Sequence, residues 1–76
     1  MKKINLNDNL FDIVTLYPEV KDIMFELGFK AIAQPGMLQT AGRYMTIKKG
    51  AKMKKIALDQ IIQTLEEHGF IVEGEN

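Results

Sequence analysis

His68 is the only imidazole in this 76-residue chain, and neither cysteine nor serine occurs anywhere in it. An imidazole does acid–base or nucleophile-activating chemistry only where the fold brings it a carboxylate or a nucleophile. Glu67 is adjacent in sequence, but adjacent residues on a helix point apart. The missing thiols remove disulfides, iron–sulfur ligation and cysteine nucleophiles together. The missing serine removes the commonest hydroxyl nucleophile, and a single histidine removes any His–His metal pair. Asp22 and Glu26 are spaced i,i+4, yet two exposed carboxylates without loop support hold a divalent cation weakly. Gly36, Gly42 and Gly50 lie too far apart for a phosphate-cradling loop. The expectation is no catalytic residue, no metal and no cofactor. His68 reads as an imidazole at the negative end of a helix dipole. A small enzyme built around it stays as an alternative.

Charge is the more unusual feature. Ten basic residues balance ten acidic ones, but no acid lies between Glu26 and Asp59. Lys30, Arg43, Lys48, Lys49, Lys52, Lys54 and Lys55 all fall in that span. Zero net charge therefore hides a dipolar molecule. One reading is electrostatic steering onto an acidic partner, a phosphate or a nucleic acid. The other is a solvated helix face complementing acidic helices of the same chain. Lysine reads bases poorly, and Arg43 alone could make bidentate base contacts. Tyr44 is the only aromatic in the basic patch from Arg43 to Lys55, too little for a stacking platform. Met24, Met37, Met45 and Met53 add a second feature. Methionines fill gaps in small irregular cores, and they also make adaptable partner-binding grooves.

These residues need elements to position them, and the chain is short. Its length and its 46% apolar, 26% charged composition indicate one globular domain spanning residues 1–76. Such a core supplies only ~3–5 kcal/mol of net stability, and the expected radius of gyration is about 11 Å. An enzyme-sized pocket would consume much of that interior. Met1-Lys2-Lys3 is basic, but Asn5, Asn7, Asp8 and Asn9 follow where a secretory signal needs an apolar run. Ala31 to Gly42 lacks charge but is too short to span a membrane. The expected location is cytoplasmic.

Three stretches carry apolar residues at i, i+3, i+4 and i+7. They are Leu10, Ile13, Val14 and Tyr17; Val20, Ile23, Met24 and Leu27; and Leu58, Ile61, Ile62 and Leu65. Asn9 is a natural N-cap for the first, with Asp12 at N3. Pro18 suits the first position of the second. Gly28 and Gly69 sit where a left-handed residue ends a helix, each followed by a phenylalanine able to pack back, Phe29 on Met24 and Phe70 on Leu65. After the turn at Pro35-Gly36, the spacing of Met37, Leu38, Ala41, Tyr44 and Met45 predicts a further helix despite Gly42. Thr46 can cap another from Ile47 to about Met53, weakened by Gly50. Lys3 to Leu6 and Phe70 to Glu73 alternate and could pair as two short strands, marginal without packing. The expected fold is all-α, a bundle-like array of about five short helices.

The run Leu10-x-x-Ile13-Val14-x-x-Tyr17-Pro18-Glu19-Val20-x-x-Ile23-Met24-x-x-Leu27-Gly28-Phe29 resembles a bacterial domain of unknown function, the family numbered 1858. The likeness continues through Thr46 and Ile56-x-Leu58 to Leu65. That family is itself similar to the N-terminal domain of di-iron proteins implicated in iron–sulfur cluster repair. The resemblance implies a small all-helical fold, often encoded beside or fused to hemerythrin-like and PAS-type sensor modules. Many relatives carry Cys-x-x-Cys just after the Leu-Gly-Phe element. Here those positions are Ala31 and Gln34, which neither ligate a soft metal nor exchange disulfides. Lys49 stands at an N3 position where relatives favour an acid, and Ala57 stands where an N-cap aspartate is expected.

The sequence thus points to a non-catalytic interaction or regulatory module working with a protein partner, a hemerythrin-like or PAS-type sensor being the implied kind. The candidate contact residues are Ala31, Gln34, Met37, Arg43, Lys48, Lys49, Lys52 and Lys55. Nucleic-acid or phosphate binding through Arg43 and the lysines is the alternative from another class.

Overall fold

The computed structural model describes residues 2–75. In chain order it contains strand β1 (Lys2–Asn5), helices α1 (Leu10–Leu16) and α2 (Glu19–Leu27), two short 3-10 turns (Lys30–Ala33 and Ala41–Arg43), helices α3 (Ile47–Lys54) and α4 (Leu58–Glu67), and strand β2 (Phe70–Glu73). The strands pair in parallel, Lys2 opposite Phe70 through Asn5 opposite Glu73. This corrects the all-α expectation. The fold is a small mixed α/β domain, with four α-helices among the described residues rather than an array of about five.

The strand pair persists because it is not isolated. Ile4 and Phe70 are buried in the same apolar cluster as the helix stripes. Tyr17 packs edge-on against Phe70, ring centroids 5.3 Å apart, and its hydroxyl accepts from the Lys3 amide at 3.3 Å. Leu6, also buried, extends the pairing by donating its amide to the Glu73 carbonyl at 2.9 Å. Packing against a helix supplies what a bare two-stranded ribbon lacks.

The predicted helix over Met37–Met45 is also corrected. That stretch forms successive turns, with only Ala41–Arg43 in a 3-10 turn. Gly36 has φ +79°, which ends any helix started at Pro35. Gly42 is buried, and a Cβ there would lie 3.2 Å from Leu38 Cδ2. The apolar spacing is real, but it serves a chain folded back on itself.

The capping expectations at Asn9, Thr46 and Gly28 hold. Asn9 Oδ1 accepts from the Asp12 amide at 2.8 Å, and its Nδ2 donates to the Asp12 carboxylate at 3.0 Å. Thr46 Oγ1 accepts from the Lys49 amide at 3.1 Å, so half of that cap forms with lysine at N3. At the end of α2, the Phe29 amide donates to Met24 and the Gly28 amide to Phe25, at 3.0 and 3.1 Å. This is the paired bond pattern of a Schellman ending. Pro18, expected at the first position of α2, is instead its N-cap residue, with helical dihedrals. The core joins every helix to both strands, and the radius of gyration is 11.1 Å.

Candidate functional site

An apolar cleft of about 50 Å³ opens between the segment after α2 and helix α3. Leu10, Met24, Ile32 and Ile47, all buried core residues, form its floor. Phe29, Ala31, Met37, Met45, Met53 and Lys54 surround the opening. Of the methionines, Met24 is 1% exposed and Met53 is 66% exposed, so the set runs from the core to the surface.

Local sequence explains this geometry. The Schellman turn at Gly28 reverses the chain so that Phe29 and Ile32 face inward. The Leu10 amide donates to the Met45 carbonyl at 2.8 Å, and Asn9 forms a bridge with Thr46, tying the start of α1 to the start of α3. Thr46, Ile47, Gly50, Met53 and Lys54 then share the α3 face that meets the cleft. Gly50 allows the close approach, since a Cβ there would sit 3.0 Å from Phe29 Cε1.

The sequence-derived candidates separate in space. Ala31 and Met37 line the cleft. Gln34 is exposed at the end of the first 3-10 turn, its amide bonded to the Ala31 carbonyl at 3.0 Å. Lys49 flanks the cleft face of α3, one turn before Met53, whereas Lys48 and Lys52 fall on the other side of the helix. Lys55 ends α3 in the left-handed conformation, φ 56° and ψ 40°. Arg43 is committed elsewhere. Its guanidinium lies 4.4 Å from the Phe11 ring centroid, and its Nε donates to the Gln39 carbonyl at 2.9 Å. Lys54, Met45 and Met53 were outside the candidate set and belong to the cleft. The methionine pattern was the signal for two of them; Lys54 looked like any other lysine of its run.

Electrostatically the opening is one-sided. Lys54 lines it and Lys49 stands beside it, with no acidic residue among the described lining. An ion pair lies elsewhere, between Lys2 and Glu19 at 2.8 Å. That hydrogen bond from Lys2, followed by Glu19's own backbone bond, holds the Glu19 carboxyl below its ordinary range. His68 caps α4, its exposed ring 2.8 Å from the Thr64 carbonyl through Nδ1, and it does not line the cleft. Among the described residues, no three His, Cys, Asp or Glu side chains gather where they could hold a metal ion. No helix among them is long and apolar enough to cross a membrane.

Fold and cleft together define a class, the small helix-and-strand domain whose core opens to the surface beside its third helix. Within that class the chain belongs to the family described as Domain of unknown function (DUF1858), which it matches over residues 4–62. It is also similar to a conserved domain protein from Streptococcus pneumoniae TIGR4, known from its crystal structure. That likeness has 37% identity and a TM-score of 0.94, covering 100% of this chain and 96% of the other. No curated protein matches. The family resemblance carried by the Tyr-Pro-Glu and Leu-Gly-Phe elements is therefore correct. These matches do not extend it to the di-iron repair proteins.

Proposed function

We propose that this domain is a non-catalytic protein-interaction module that docks a partner on the face formed by residues 29–37 and helix α3. The observation that carries the reading is the cleft itself. Apolar core residues reach the surface there under half-buried and exposed methionines, beside lysines and with no acidic residue among the described lining. Flexible thioether side chains at an opening let one site adapt to a partner's shape. The proposed setting is the cytoplasm, and the partner class to assay first is a hemerythrin-like or PAS-type sensor.

The alternatives draw less support. Nucleic-acid or phosphate binding through Arg43 and the lysines needs Arg43 for base contacts, and Arg43 is packed on Phe11. A small enzyme needs His68 in a concavity with converging acids, and His68 is an exposed helix cap. Calorimetric titration with the product of the neighbouring gene tests the interaction reading. Binding that weakens when Lys49 and Lys54 are both reversed to glutamate supports it. Absence of binding by the wild-type domain at any workable concentration counts against it.

A further inference from the structure

We infer that the cleft takes a single apolar anchor side chain from an acidic peptide segment of the partner. This rests on the interaction reading above and adds the chemistry of what is bound. Size comes first. A volume of about 50 Å³ is far below the roughly 300–1,000 Å³ of small-molecule and cofactor sites, but suits the end of one aliphatic or aromatic side chain. The lining makes the same selection. Met24, Ile32 and Ile47 below, with Met37, Met45 and Met53 around, offer apolar contact and almost no hydrogen-bonding group to orient a polar ligand.

Charge selects the flanks of the anchor. Lys54 borders the opening, Lys49 lies one turn from Met53, and α3 has no acidic residue to offset them. An anchor with carboxylates on either side would seat its apolar end among the methionines and meet ammonium groups at the rim. Basic or neutral flanks would gain nothing there. Complementary rim charge speeds encounter and excludes wrong partners more than it adds affinity. The anchor in the cleft supplies most of the affinity.

The test uses the full chain with isotope-labelled methionine methyl groups and short synthetic peptides as probes. One peptide is rich in aspartate and glutamate around a central leucine; a second has that leucine replaced by alanine; a third has lysine flanks. The expected result is a saturable shift of the Met37, Met45 and Met53 methyl signals with the first peptide. Alanine at the anchor weakens binding by at least about tenfold, from the area a leucine buries. Lysine flanks or the exposed-site variant Lys54→Glu weaken it by several-fold, and added salt does likewise. A thermal melt of Lys54→Glu checks that it remains folded.

Unmoved methionine signals overturn the inference, as does equal binding of the leucine and alanine peptides or of acidic and basic flanks. Methyl shifts that track protein concentration without any peptide overturn it in favour of a second copy of the chain. If the sensor partner binds but no acidic peptide does, the interaction reading stands and this assignment falls. If neither binds, both fall.

Discussion

Replacing Ala57 with aspartate is expected to stabilise the domain. Ala57 occupies the N-cap of α4 with extended backbone, φ −61° and ψ 123°, and makes no side-chain capping bond. The corresponding positions of α1 and α3 hold Asn9 and Thr46, whose oxygens accept amide hydrogens at 2.8 and 3.1 Å. An N-cap oxygen in place of alanine contributes typically ~1 kcal/mol. A carboxylate at the positive end of the helix adds ~0.3–1 kcal/mol at low salt. Asp59 in the same first turn opposes part of that second contribution, so the expected net gain is ~1 kcal/mol. For a domain of this size that raises the melting temperature by about 4–8 °C. Thermal unfolding followed by circular dichroism at neutral pH reads it directly. Ala57→Ser, which completes a Ser-x-x-Gln capping box with Gln60, should give a similar gain without the dependence on salt. An unchanged or lowered melting temperature for both variants would refute the reasoning.

Other outcomes follow from the same geometry. Thr46→Ala removes the α3 cap and should cost ~1 kcal/mol in denaturant unfolding; no loss would mean the bond contributes nothing net. Leu65→Ala empties a fully buried site and should cost ~2–5 kcal/mol, comparable with the whole stability of a small domain. That variant should be largely unfolded at 37 °C, and a well-dispersed amide spectrum there would contradict it. Glu19 has a lowered folded pKa, so its contribution is present above the ordinary glutamate value and is lost as pH falls through the folded one. Glu19→Gln should therefore slightly flatten the acid limb of stability below about pH 4.3, whereas a steeper limb would reverse the assignment. In a gel-shift assay at ~50 mM salt the domain should retain neither DNA nor RNA; strong retention that collapses with salt would favour the nucleic-acid alternative.

The helices bounded by local chemistry were legible in the chain. Asn9 and Thr46 cap where their types and positions indicate, and Gly28 with Phe29 ends α2 through bonds between near neighbours. The stripes of α1, α2 and α4 needed only periodicity. What depended on distant contacts was harder to read. Gly42 and Gly50 look like weak points in helices, yet Gly42 packs on Leu38 and Gly50 admits Phe29. The pairing of β1 with β2 joins the two ends of the chain and holds through Tyr17 and Phe70, so its weight in the fold could not be judged from either strand alone. For the site, the methionines and the acid-free segment were visible as features. Their division was not. Arg43 leaves the group by stacking on Phe11, Lys48 and Lys52 turn away round the helix, and Lys54 joins Met53 at the cleft.

The central claim is that the methionine-rimmed opening receives a partner's apolar side chain. Intermolecular nuclear Overhauser contacts in the complex with the acidic leucine peptide measure this most directly. The leucine methyls should show contacts to the methyls of Met37, Met45 and Met53 and to Ile47 beneath them. Contacts confined to lysine side chains of α3, or to any face away from the cleft, would contradict it.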